Sequence, residues 1–164
     1  MKKHRLFGNV FILLFLGFAI SCDRGPVYQN YLKMKNSIWD RFDQKFFEIP
    51  IEKPGKTYNI TFFAKTTADF IYDGLPVYVI LTSPSGEERM REVTIKIRAK
   101  GSFTGVKTGE LWEARTTLWE SLGVADIGKC KISIENLIPK IQTQGIDGIG
   151  IVVEVAKKGS GVGD

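Results

Sequence analysis

The groups in this chain able to do covalent or acid–base chemistry are few enough to weigh one at a time. Its only histidine is His4, which sits in a basic, apolar leader. From residue 22 onward there is no imidazole, so His-based triads, most His-containing zinc sites and the usual proton shuttle are excluded. The two cysteines are Cys22 and Cys130. Cys130 lies in Lys129-Cys130-Lys131-Ile132-Ser133-Ile134, a strand-like pattern, and reads as a small buried hydrophobe, although neighbouring lysines are the kind of group that lowers a thiol pKa. Among the acids, Glu87 and Glu88 are adjacent and point apart. Glu110 with Glu113, Glu120 with Asp126, and Glu135 with Asp147 would serve a glycosidase only if folded to about 5–9.5 Å across a sugar-sized cleft. Nothing in their spacing sets such a pair, and solvated surface acids are the simpler reading. Gly101, Gly105 and Gly109 lack the Gly-Lys-Ser/Thr ending and the strand-to-helix setting of a phosphate loop. No catalytic residue, metal site or cofactor is expected.

Cys22 has a different context. Lys2, Lys3 and Arg5 precede an apolar run from Val10 to Ile20, and the small residue Ser21 stands immediately before Cys22. An eleven-residue helix reaches only ~16 Å, about half of a ~30 Å hydrocarbon core. An export signal fits better than a spanning helix. Ala19-Ile20-Ser21-Cys22 resembles the lipobox of bacterial lipoproteins, which implies acylation of Cys22 and removal of the signal peptide, residues 1–21. A plain secretory signal or an uncleaved anchor is the alternative.

Removal of the leader changes the charge. The full chain carries 23 basic and 18 acidic residues, and the leader holds three of the basic ones and none of the acidic. The remaining 143 residues, enough for one domain with a real core, are nearly neutral. Nucleic acid is therefore not an expected partner. With Cys22 acylated, Cys130 has no intramolecular partner, which excludes a disulfide framework.

The elements that would position these groups are strands. Residues 22–37 show no sustained period and read as a lipidated Cys and short tether, which keeps the body close to its membrane. A strand is expected at Lys45–Ile51, with Pro50 marking an edge. Tyr58–Lys65 alternates, with Tyr58, Ile60, Phe62 and Ala64 on one face. Phe63 breaks that pattern, as though covered by a neighbouring loop. Val77–Leu81 reads as a central strand, Ser83-Pro84-Ser85-Gly86 as a turn, and Glu88–Arg98 as a strand with Val93, Ile95 and Ile97 inward. Leu111–Trp119 has both strand and helix readings. Thr116-Thr117 favour the strand, with Trp112, Ala114, Thr116 and Leu118 on one face. Lys131–Ile134 follows, then one possible helical turn at Asn136-Leu137-Ile138. The last strand is Ile149–Val155, with Ile149, Ile151, Val153 and Val155 inward. Residues 159–164 read as a disordered tail. Seven or eight strands without βα alternation predict an all-β fold, a single antiparallel β-sandwich, jelly-roll-like or Ig-like, over residues 38–158.

The body of the chain resembles the gliding-motility lipoprotein H family of Bacteroidetes. The residues that carry the resemblance are Tyr28–Trp39, Tyr58–Lys65 followed by Tyr72-Asp73-Gly74-Leu75-Pro76-Val77-Tyr78-Val79, then Pro84-Ser85-Gly86 and Lys100-Gly101-Ser102-Phe103-Thr104-Gly105. Ile132-Ser133-Ile134-Glu135-Asn136 and Ile146-Asp147-Gly148-Ile149-Gly150-Ile151 complete it. Gly74 stands where Asn is usual, Asn136 where Gln is, and Phe103 where Trp is common. The resemblance implies a non-enzymatic, membrane-anchored envelope lipoprotein of the gliding machinery, with a link to the associated protein secretion system. Other envelope proteins of that apparatus would be its partners.

Loops carry contacts more often than strands do. The expected interaction surface is therefore the loop around Tyr72 and Leu75 together with the Lys100–Lys107 loop, represented by Phe103 and Lys107. The alternative is an envelope-anchored carbohydrate- or protein-binding module whose aromatics, among them Trp39, Trp112, Trp119, Tyr28, Tyr31, Tyr72 and Tyr78, line a contact. Asp23 follows the anchor without an acidic pair, which favours a membrane surface facing the periplasm and leaves inner and outer membrane open.

Overall fold

The computed structural model describes residues 25–157. The expected signal peptide 1–21, the expected acylation site Cys22 and the expected disordered tail 159–164 lie outside the described residues. Thirteen strands follow in order: β1 (Tyr28–Lys33), β2 (Ile38–Asp40), β3 (Lys45–Ile51), β4 (Thr57–Thr66), β5 (Gly74–Thr82), β6 (Glu88–Lys96), β7 (Arg98–Ala99), β8 (Ser102–Phe103), β9 (Val106–Thr108), β10 (Leu111–Gly123), β11 (Gly128–Asn136), β12 (Gln142–Gln144) and β13 (Ile146–Val155). They form a five-stranded sheet, β1-β13-β4-β10-β9, and a four-stranded sheet, β3-β11-β5-β6. All pairs within them are antiparallel. Two small ribbons, β2-β12 and β7-β8, complete the set.

Alternation decides which face is buried. In β4, Tyr58, Ile60, Phe62 and Ala64 point into the core beside Ile149, Ile151 and Val153 of β13. From the other sheet come Phe47, Ile49, Val77, Val79, Ile95, Ile132 and Ile134. Each such side chain contributes about 1.5–3 kcal/mol when taken from water. Trp39 closes one end of this layer with no exposed surface, and its indole N–H donates to the Asp43 carbonyl at 2.8 Å. Cys130 is buried as expected, and burial pushes its thiol pKa up. Desolvation thus outweighs the lysines beside it, one of which, Lys129, reaches across to Glu48 at 2.7 Å.

The first four long strands pair with the last four in reverse order: β1 with β13, β3 with β11, β4 with β10, and β5 with β6. This winding separates two kinds of end. Gly25 lies at the end where the connections are short, residues 52–56, 83–87 and 124–127. At the far end gather 34–44, 67–73, 97–110 and 137–145. Ten residues of β4 separate the two ends by about 30 Å.

Several expectations change. Within 22–37, Tyr28–Lys33 form an edge strand on β13, because a sheet edge satisfies backbone groups that a tether would leave to water. Phe63 is buried on the outer face of the five-stranded sheet, covered by neighbouring strands and not by a loop. Leu111–Trp119 is a strand, and it runs on to Gly123. Register shifts between Thr117 and Trp119 and again before Leu122 invert its phase, so Leu118, Trp119 and Leu122 are all buried. Val155 is 44% exposed at its strand end. Arg98 leaves β6 and joins β7. Asn136 starts no helical turn. Its Oδ1 instead accepts from Ile138 N–H at 3.0 Å while its Nδ2 donates to Thr143 Oγ1 at 2.8 Å, an Asx turn.

Candidate functional site

The far end brings together the two loops singled out from the sequence, and Arg98 is the link. Its Nε donates to the Phe70 carbonyl at 3.1 Å and its Nη2 to the Ala68 carbonyl at 3.2 Å. The same guanidinium lies 4.0 Å from the centre of the Phe103 ring. Phe103 stacks on Trp112 with centroids 4.1 Å apart and planes 13° from parallel, and Lys107 Nζ stands 4.9 Å from the Trp112 ring. Cation, two rings and cation thus form one stack, each contact favourable by about 0.5–2 kcal/mol. Thr104 Oγ1 donates to the Lys96 carbonyl at 2.7 Å and ties the loop back to β6. Gly105 lies against the Glu113 backbone at a separation that leaves no room for a Cβ.

Of the four expected surface residues, Phe103 and Lys107 meet through Trp112. Tyr72 is half-buried and packs edge-on against Phe70 at 5.6 Å, one residue pair away from Arg98. Leu75 is not at the surface: it has no exposed area, because the alternation of β5 turns it inward opposite Ile95. Ile71 and Val106, 76% and 73% exposed, are the apolar groups these loops present to solvent. From Lys96 to Lys107 the chain carries Lys96, Arg98, Lys100 and Lys107 and no acid, so this segment is basic, while the 67–73 loop it meets carries Asp69 and Asp73.

A second cluster covers the adjoining outer face of the five-stranded sheet. Tyr31, Gly150, Phe63 and Arg115 occupy one cross-strand row. Tyr31 lies parallel to Phe63, centroids 5.9 Å apart and planes 6° from parallel. Lys65 Nζ is 4.9 Å from the Tyr31 ring, and Arg115 is 5.5 Å from that of Phe63. Glu113 joins both cations, at 3.7 Å to Lys65 and 2.6 Å to Arg115. The Tyr31 hydroxyl donates to Asp147 Oδ2 at 2.5 Å, and Lys33 Nζ lies 3.8 Å from the other oxygen. Burial, then the Asp147 hydrogen bond and charge, raise the Tyr31 pKa well above the ordinary phenol value.

Four of the eight carboxylates considered for hydrolysis are engaged elsewhere: Glu113 and Asp147 as described, Glu135 by Gln44 at 2.9 Å, and Glu87 by Arg89 at 3.0 Å. Among the described residues no group of three or more His, Cys, Asp or Glu could hold a metal ion. What this arrangement offers is a rigid charged and aromatic surface suited to recognition.

Arg98 and the Tyr31–Asp147 contact escaped the sequence reading. Their traces were Phe63, whose cover was expected from a loop, and Gly148 and Gly150, which leave the last strand flat where rings must lie.

The chain matches the family model described as GldH lipoprotein over residues 26–153. No curated protein matches it.

Proposed function

The chain belongs to the GldH lipoprotein family, and from that premise we propose that the basic 96–107 segment at its far end docks an acidic surface of another envelope component. The family assignment makes this a non-catalytic envelope lipoprotein associated with the gliding motility machinery. Anchoring through acylated Cys22, a periplasm-facing position and a link to protein secretion belong to the same proposal. So does a jelly-roll form of the sandwich, supported by the reverse-order pairing of its eight long strands.

One observation carries the docking reading: the long loops, the basic 96–107 segment and the stacked rings share the end opposite Gly25. An anchor at Cys22 holds the short-turn end to the membrane and leaves this end about 30 Å out. Phe103 has Arg98 and Trp112 on its two faces, so that ring is filled and offers no sugar platform. Charge complementarity of this kind acts chiefly on specificity and association rate.

Lys100→Glu with Lys107→Glu, made in the gliding host, tests it. Loss of spreading and adhesin secretion, with unchanged abundance and membrane fractionation, is expected. Normal spreading and secretion would overturn it.

A further inference from the structure

β6 and β10 border one open side of the sandwich. Among the described residues no strand pairs with β6 beyond β5, and β9 covers the corresponding edge of β10 only over residues 111–113. Residues 114–123 therefore present a free sheet edge, the kind that recruits a second strand. β10 changes register twice between Thr117 and Leu122. Within that break Ser121 takes a left-handed φ of 49°, and its N–H turns to Asn59 Oδ1 at 2.9 Å. Arg91 of β6 stands at a core-facing position. It is in register with Val79 of β5, which has no exposed area, and precedes Val93 and buried Ile95 on the same face. Strand alternation calls for an apolar residue there. The arginine instead crosses to the other sheet, where its Nη1 donates to the Leu118 carbonyl and its guanidinium lies 5.5 Å from the centre of the Trp119 ring.

We infer that Arg91 guards this side of the sandwich against strand addition by a second copy of the chain. It occupies the carbonyl at the break in β10 and covers Trp119, which is only 7% exposed. A strand pairing here would have to strip the guanidinium of both partners or bury it unpaired, and burial of an unpaired charge is costly. The second copy is the occupant being excluded because each copy carries its own matching strand. β6 is nine residues long and keeps an unbroken register on β5, so its outer edge is regular enough to pair with β10 of a neighbour. Arg89, the other cation on this face of β6, pairs with Glu87 at 3.0 Å instead. The contact to β10 thus singles out Arg91, and charge on β6 in general does not supply it.

The test compares full-length chains in detergent micelles by sedimentation velocity over a concentration series. Arg91→Leu supplies the apolar group that the position calls for, so melting should hold or rise. The concentration at which copies associate should nevertheless fall by about tenfold. Arg89→Leu removes the same charge without touching β10 and should behave as wild type. Arg91→Lys keeps the charge but not the planar fork, and should fall between the two. Exposed Glu120, Glu92 and Lys131 locate the contact. In the Arg91→Leu background a short thiol-to-thiol reagent should join copies carrying Glu120→Cys on β10 to copies carrying Glu92→Cys on β6. It should not join them to copies carrying Lys131→Cys, on the outer face of the other sheet. Association of Arg91→Leu no stronger than wild type, with or without a lower melting temperature, would overturn the guard. So would equal association of Arg89→Leu or full rescue by Arg91→Lys, since charge alone would then keep copies apart. Association that cross-links position 131 as readily as position 92 would also overturn it.

Discussion

Tyr31 and Asp147, 116 residues apart in sequence, share a 2.5 Å hydrogen bond that fastens the first strand to the start of the last. The donor is a phenol, the acceptor is a carboxylate only 9% exposed, and Lys33 holds its second oxygen. Tyr31→Phe keeps the ring on Phe63 and removes only the donor. The expected cost is about 1–2 kcal/mol, measured by urea denaturation. Because the fold raises the Tyr31 pKa, this contribution is complete below the unfolded phenol value of about 10 and is lost as pH rises through the higher folded value. The gap between wild type and variant should therefore hold steady near neutrality and narrow in strong alkali. A gap that widens with pH would contradict the assignment.

Gly150 is occupied on both sides. A Cβ there would fall inside the Phe63 ring and close to the Asn30 carbonyl, and β13 is held between β1 and β4. Gly150→Ala should cost about 2–3 kcal/mol and loosen Tyr31 from Phe63. Thermal melting gives the first quantity, and near-ultraviolet circular dichroism of the aromatic pair the second.

Arg98→Ala should act locally. It removes two donors from the 67–73 loop and the cation from Phe103, while the core strands keep their contacts. Amide exchange should quicken in 67–73 and 102–104 and stay slow in β4 and β13. Uniform acceleration throughout would mean that Arg98 supports the whole fold.

Cys130 should label only through unfolding. It is 2% exposed, and burial raises its pKa, so thiolate is scarce as well as covered. Iodoacetamide modification at neutral pH should proceed at the rate of global opening and rise with urea in step with unfolding. Fast labelling of the native protein would show a local breach beside β11.

The absence of histidine after residue 4, the nearly balanced charge of residues 22–164 and the alternating strands were legible in the residues themselves. They depend on composition and on a two-residue period, both local properties. Even the anomaly of Phe63 was visible, without its explanation. Strand pairing, the phase inversion at Leu118, the inward turn of Leu75 and the meeting of Tyr31 with Asp147 were decided only by the tertiary structure. Each depends on which distant strand lies alongside, and a local period fixes the face of a strand but not its neighbour. The separation of short turns beside Gly25 from the long loops around Arg98 has the same origin, since it comes from winding the first four long strands against the last four.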